Sequence, residues 1–388
     1  MALRPDIGGI MDRPWLTHYE KEVPEHLDYP SVTLYQLLKD TASEFPENIA
    51  IIFFGRFLSY ERLLQSVDSF ATALKKLGVR KGTRVAIALP NCPQFVITFY
   101  AALKLGAIVV QTSPLYVERE LEHILLDSGA EVIIGLDLIY RRIANVRERT
   151  PLRNVIVASV KEFLPFPLSV LYPIKAALGG HRARVERGKA IRFGELLRTE
   201  PEELGVEIDP SVDPALLQYT GGTTGIPKGV ALTHANLVAS TLQTVRWMTA
   251  LERGKEIMLA AIPFFHVYGM TVCMNFGVHT GSALLLIPRF NPDEILASIQ
   301  KHRPTIFPGV PTMYSAIISH PKVRRYNISS IKACISGAAP LPAAVKEEAQ
   351  EFRASVDPAE LSLAEQKLIE AGMNPEDLRH LCVAHMEL

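Results

Sequence analysis

Arg84-Val85-Ala86-Ile87-Ala88-Leu89-Pro90-Asn91 is a short apolar run closed by a proline and an asparagine, and it reads as a buried strand. Gln94 to Leu105 follows with apolar residues at helical spacing and stops at Gly106, a helix terminator. Ile108-Val109-Val110 is the next strand. Glu118 to Leu126 is helical in period, Gly129 ends it, and Val132-Ile133-Ile134 is a third strand. Strand, helix, strand, helix, strand in that rhythm predicts a parallel sheet with helices on its faces.

The second half repeats the theme. Ala283 to Ile287 is an apolar strand. Asn291-Pro292-Asp293-Glu294 starts a helix, with an Asn cap, proline in the first turn and acids at the positive end of the dipole. That helix runs to about His302. Thr305 to Phe307 and Ile331 to Ile335 resume strand, the latter ending at Ser336-Gly337. The expected architecture is α/β, with two side-by-side α/β subdomains of mainly parallel sheet, about 32–210 and 211–352. Ligands in such folds sit at the carboxyl ends of the strands and between the halves.

The chain has 388 residues, enough for two or three units. Apolar residues at 48% and charged ones at 21% exclude global disorder. Forty-one basic residues balance forty-one acidic ones, so there is no whole-protein basic field and no nucleic-acid partner is expected. Cys92, Cys273, Cys334 and Cys382 lie far apart with no C-x-x-C spacing. Reduced thiols in a cytoplasmic protein are expected, without a secretory signal or a membrane span.

Phe163-Leu164-Pro165-Phe166-Pro167-Leu168-Ser169-Val170-Leu171-Tyr172-Pro173-Ile174 is apolar but too rich in proline for a regular helix. Lys175, Arg182, Arg184, Arg187, Lys189 and Arg192 follow it, opposed only by Glu186. Apolar surface beside clustered cations is how a protein rests on an anionic lipid surface. Residues 163–192 are therefore a candidate for peripheral membrane contact, on the cytoplasmic face. The alternative is a linker packed on its own protein.

The chemistry-bearing run is Leu217-Gln218-Tyr219-Thr220-Gly221-Gly222-Thr223-Thr224-Gly225-Ile226-Pro227-Lys228-Gly229-Val230. Three glycines, three threonines and one lysine fall within nine positions, from Thr220 to Lys228. Glycines let backbone N–H groups close on an anion, threonine hydroxyls add donors, and lysine adds charge. The pattern reads as a phosphate cradle. Its lysine is flanked by Pro227 and Gly229, so it is not a Walker A loop, and it lacks the G-x-G-x-x-G spacing of dinucleotide-binding folds.

Tyr219 to Gly229 resembles the signature loop of the acyl-adenylate-forming enzymes, the superfamily of acyl-CoA synthetases, luciferases and peptide-synthetase adenylation domains. Further segments match it in order: Leu89-Pro90-Asn91, Gln111 to Tyr116, Leu232 to Leu237, Pro263 to Gly269, Phe307 to Tyr314, and Ser336 to Leu341. The likeness covers about 13–352 and is nearest to bacterial long-chain fatty-acid–CoA ligases (AMP-forming). It implies the activation of a fatty acid by ATP through an acyl adenylate, then thiol attack by coenzyme A, with Mg²⁺.

Several residue roles come with that resemblance. Thr220, Gly221, Gly222, Thr223, Thr224, Gly225 and Lys228 would hold the β- and γ-phosphates, and Thr220 would also touch the metal. Gly337, Ala338 and Ala339 would lie along adenine. Lys228 and His266 are the catalytic candidates, with His266 orienting the carboxylate. His266, Tyr268, Val310 and Met313 would line the acyl site, ordinary core packing being the alternative for the last three. His234 reads as a helix-start residue.

After Leu341 the family's aromatic–Gly–x–Thr–Glu segment and its Thr-Gly-Asp are absent from the sequence. Residues 353–388 read instead as a helical tail without a strand. They weakly resemble a module of unknown function found beside bacterial sensory and hemerythrin-like domains. The expectation is a ligase portion joined to unrelated sequence, by natural fusion or assembly error, with a second sheet short of strands and very weak acyl-CoA synthesis by the chain alone. A non-catalytic nucleotide- or fatty-acid-binding protein with a helical interaction tail is the alternative. Acyl chain length and oligomeric state are not readable from the sequence.

Overall fold

The run at Arg84 is the central strand of one of two seven-stranded sheets. The computed structural model describes residues 13–171, 188–220, 227–347 and 383–385. Strands are numbered in chain order. The first sheet runs β7 (Ile191–Arg192), β6 (Asn154–Ala158), β5 (Val132–Leu136), β3 (Arg84–Ala88), β4 (Ile108–Gln111), β8 (Pro214–Thr220) and β9 (Lys228–Thr233). The second runs β14 (Val383–His385), β13 (Ala333–Ser336), β12 (Ile306–Gly309), β10 (Ile257–Ala260), β11 (Ala283–Leu286), β1 (Ile49–Phe53) and β2 (Arg56–Ser59). Every pairing is parallel except β1–β2 and β8–β9. Val85 to Ala88 and Val132 to Leu136 are buried throughout, as parallel strands covered on both faces must be.

The predicted helices form with the predicted ends. Glu118–Ser128 (α4) stops at Gly129, whose φ of +64° is the left-handed conformation that closes a helix. In Pro292–His302, the Asn291 side chain accepts the Glu294 N–H, as a helix cap should. Pro93–Lys104 (α3) differs from both. Its residues from Pro93 to Leu103 are all buried, so it has no solvent face. It lies at the seam of the molecule, where Tyr100 Oη donates to Asn275 Oδ1 of the second half at 3.0 Å.

Three expectations are corrected. A boundary at 210/211 does not separate the sheets. β1 and β2, from before it, belong to the second sheet, and β8 and β9, from after it, to the first. Consecutive apolar strands carry no local mark of which sheet they join, so the interleaving is invisible in sequence. The tail is not strandless either: Val383–His385 pairs in parallel with β13, with His385 opposite Ser336. The second sheet therefore has an edge strand where a bare edge was expected, while the expected tail helices lie outside the described residues. Finally, a helical turn forms at 168–171 despite the prolines, because Pro165 and Pro167 precede it, and Val170 and Leu171 donate to the Pro167 carbonyl at 3.1 Å.

No helix among the described residues is long and apolar enough to cross a membrane. Cys92 and Cys273 are buried free thiols, and burial pushes the Cys92 thiol up to about 12, so it is unreactive at neutral pH.

Candidate nucleotide and acyl site

β8 and β9 form an antiparallel hairpin in which Thr220 stands opposite Lys228 and Tyr219 opposite Gly229. The phosphate-cradle run is thus the connection of a hairpin, and Thr220 and Lys228 are its neck, both exposed. Gly221, Gly222, Thr223, Thr224 and Gly225 lie outside the described residues. The neck has a firm base. Tyr219 Oη donates to Asp127 Oδ2 of α4 at 2.6 Å. Its ring lies where a Gly229 side chain would be, since a Cβ there would come within 3.1 Å of Tyr219 Cζ. Burial, then the Asp127 carboxylate, push the Tyr219 phenol well above its ordinary pKa, so it stays a donor.

His266 lies across the seam, beyond the end of β10. Its position depends on Asn91, which follows β3 of the other sheet. Asn91 Nδ2 lies 2.8 Å from the carbonyls of Ala260 and Ile262, and its Oδ1 accepts the Phe264 N–H at 2.8 Å. One buried amide therefore ties the segment leading to His266 to the first sheet. His266 itself has an exposed side chain beside the Phe265 ring, with centroids 4.8 Å apart. Enough protein crowds it to lower the imidazole pKa by desolvation, which favours the neutral ring at pH 7.

Tyr268 is buried and joins two of the expected subsites. Its hydroxyl donates to the Ile335 carbonyl at 2.7 Å, with the Gly309 carbonyl at 3.2 Å. Its ring fills the space beside Gly337, where a Cβ would come within 2.5 Å of Tyr268 Cε2. The smallness of Gly337 thus has a reason inside the protein. Ala338 and Ala339 are exposed beyond it, and Ala338 holds a left-handed φ of +64°. That conformation costs a non-glycine residue about 1 kcal/mol and is concentrated at functional loops. Val310 is half-buried and precedes helix Pro311–Ile318, while Met313 is buried within that helix. His234 opens helix His234–Trp247 and accepts the Leu34 N–H on Nδ1 at 3.4 Å.

Sequence reasoning gave no role to several residues at the strand ends. Asn91 is one. Ser336 and Gln111 end β13 and β4, and Ser336 Oγ and Gln111 Oε1 are buried without a hydrogen-bond partner among the described residues. Buried polar atoms are nearly always paired, so each of these two oxygens has room for a donor from outside the described residues. A polar residue closing an apolar strand was the sequence signal for both.

Two mainly parallel sheets, a hairpin whose connection is rich in glycine and threonine, and a strand-end loop beside a buried tyrosine accord with an AMP-binding enzyme domain. The chain belongs to the AMP-binding enzyme family, whose profile matches residues 38–359. A second family, of unknown function (DUF438), matches residues 337–388. Over 338 residues the chain is 43% identical to a long-chain-fatty-acid–CoA ligase of Bacillus subtilis (strain 168), covering 87% of this chain and 60% of that protein. It therefore spans less than two thirds of that relative. The fold is similar to that of a long-chain-fatty-acid–CoA ligase from Archaeoglobus fulgidus, with TM-score 0.71 and 27% identity over 87% of this chain and 63% of the other. It is also similar to the N-terminal domain of FACL13 from Mycobacterium tuberculosis, with TM-score 0.68 and 26% identity over 82% of this chain and 73% of that domain.

Proposed function

We propose that this chain carries the acyl-adenylating half of a long-chain fatty-acid–CoA ligase. The fatty acid carboxylate would attack the α-phosphorus of ATP, and the bond to the bridging oxygen of pyrophosphate would break. Coenzyme A thiol would then displace AMP from the acyl carbon, losing its proton. The observation that carries the reading is the hairpin neck. Thr220 and Lys228 face each other across a loop of glycines and threonines, on a fold shared with ligases of this class. In this reading Thr220 and residues 221–225 donate to the β- and γ-phosphates, and Lys228 neutralises charge that grows on the leaving pyrophosphate. If Mg²⁺ came with the triphosphate, the Thr220 hydroxyl would be the protein group to hold it, and the ion would supply screening of the phosphate charge. Gly337, Ala338 and Ala339 receive the adenine, and the buried Ser336 Oγ next to Gly337, unpartnered among the described residues, suits a polar guest. Neutral His266 orients the carboxylate, and Tyr268, Val310 and Met313 wall the acyl chain.

Pyrophosphate release with ATP, Mg²⁺ and palmitate tests the reading. The 388-residue chain by itself is expected to turn over far below 1 s⁻¹, the low end of ordinary enzymes, and a rate near that value overturns the expectation of weak activity. Lys228→Ala is expected to lower residual adenylate formation at least about a hundredfold. The family match across 337–388 favours one other reading, a non-catalytic binding protein whose tail serves interaction. Palmitate binding that survives Lys228→Ala, with no turnover before or after the change, supports that second reading. Residues 163–192 complete the proposal as a contact with the inner face of the cytoplasmic membrane, supported by exposed Phe166, Val170 and Leu171.

A further inference from the structure

The β1–β2 hairpin ends in Phe53-Phe54-Gly55-Arg56-Phe57, and two of its aromatic rings point out of the protein. Phe54 is 52% exposed and Phe57 54%. Phe54 meets the buried Phe53 ring edge-on, with centroids 4.7 Å apart, yet about half of its surface and half of that of Phe57 remain in water. The fold sets this tip against a second exposed apolar segment more than a hundred residues away. Arg56 Nη1 donates to the Glu162 carbonyl at 3.1 Å, and the guanidinium lies 5.5 Å from the centre of the Phe163 ring. Phe163 and Leu164 are buried, so they anchor the apolar segment that begins with them. Phe166 is 83% exposed, and Leu168, Val170 and Leu171 are exposed after it.

Cations surround these side chains. Arg56 and Lys161 are exposed. Arg192 is exposed at the end of β7, brought close because the Gly194 N–H donates to the Glu162 carboxylate at 3.2 Å.

We infer that the β1–β2 hairpin tip and the 163–171 segment form one lipid-facing surface, in which Phe54 and Phe57 enter the headgroup boundary of an anionic bilayer while Arg56, Lys161 and Arg192 bind its phosphates. The inference rests on the membrane contact proposed for residues 163–192 and adds to it a second, non-contiguous element. The occupant is set by the chemistry: exposed aromatic and aliphatic side chains beside exposed Arg56, Lys161 and Arg192, with the Glu162 carboxylate occupied by the Gly194 N–H, match an acyl layer under anionic headgroups. Aromatic rings are the side chains favoured at that depth.

Vesicle co-sedimentation of the full chain tests it, using phosphatidylglycerol–phosphatidylcholine vesicles against phosphatidylcholine alone. Binding is expected on the anionic vesicles and is expected to fall as salt is raised. The F54S/F57S double variant should weaken it about tenfold or more, the loss expected when two rings no longer enter the boundary. F166S/L171S should weaken it as well. If the second pair acts and the first does not, the hairpin inference is overturned while the 163–192 contact stands. If the unmodified chain binds no vesicle, both fall. If F54S/F57S abolishes self-association in sizing chromatography without changing vesicle binding, the tip is a surface between copies and the inference is overturned. Loss of the edge-on Phe53–Phe54 contact should cost F54S/F57S only a small part of its stability, so circular dichroism should show it folded at the assay temperature. A direct readout comes from F54W: tryptophan emission beyond that of the parent should shift to the blue and be quenched by brominated lipid.

Discussion

The seam between the sheets and the β8–β9 hairpin are held by opposite means. At the seam, Asn91 and Tyr100 are buried and spend their polar atoms on carbonyls, an N–H group and an amide of the other half, while buried Tyr268 bonds two strand-end carbonyls of its own sheet. The hairpin beyond Tyr219 has an exposed strand in β9, with Lys228, Gly229, Val230 and Ala231 all open to solvent. A buried bond is costly to break because its partner is left dry and unpaired, whereas an exposed lysine can be removed with water taking its place. Stability is therefore expected to be concentrated at the seam, and the charge proposed for chemistry lies at the hairpin, where changing it should leave the fold intact.

The sharpest test of that contrast is Asn91→Leu, similar in shape but unable to bond. It leaves the Ile262 carbonyl and the Phe264 N–H buried without their partner and should cost about 3 kcal/mol, read as a drop in the denaturant midpoint at constant slope. Lys228→Ala should leave that midpoint within about 0.5 kcal/mol while abolishing adenylate formation. Equal losses of stability in the two variants would erase the distinction between the regions.

Acid probes the base of helix His234–Trp247, at a buried residue. His234 is fully buried, and desolvation lowers its pKa from 6.5 to about 4. In the unfolded chain the imidazole protonates near 6.5, so the unfolded state takes up the proton first. Stability is complete above pH 6.5 and falls as pH drops toward 4, by an amount on the order of 3 kcal/mol from this group. Melting across that window should show the loss, and His234→Gln should flatten its slope; an unchanged slope would mean the ring is not the source. Gly337→Ala is the gentler steric probe. Its new methyl meets the Tyr268 ring and should cost about 1–3 kcal/mol, part of which Tyr268→Ala restores in the double variant. Additive losses would separate the two residues.

Much of the fold was legible in sequence because its signals are local. The apolar runs at Arg84, Ile108 and Val132 are continuous because both faces of each strand are covered, and Gly129 and Asn291 mark helix ends by their own backbone and side-chain chemistry. The candidate phosphate loop was legible for the same reason: glycine, threonine and lysine stand in near-consecutive positions, and the structure adds that Thr220 and Lys228 pair at its neck. The strand at Val383 was missed because three residues of tail acquire their conformation only by pairing with β13.

What the sequence determined alone was therefore the alternation of strands and helices, the family resemblance carried by ordered motifs, and the Gly/Thr/Lys run proposed to bind phosphate. The tertiary structure decided which strands share a sheet, that Asn91 reaches across to the segment before His266, that Tyr268 stands beneath Gly337, and that Arg56 brings two exposed apolar segments together. The physical reason is range. Backbone propensity, capping and loop chemistry act between near neighbours in the chain, whereas a buried amide or an arginine finds its partner only after distant segments have packed.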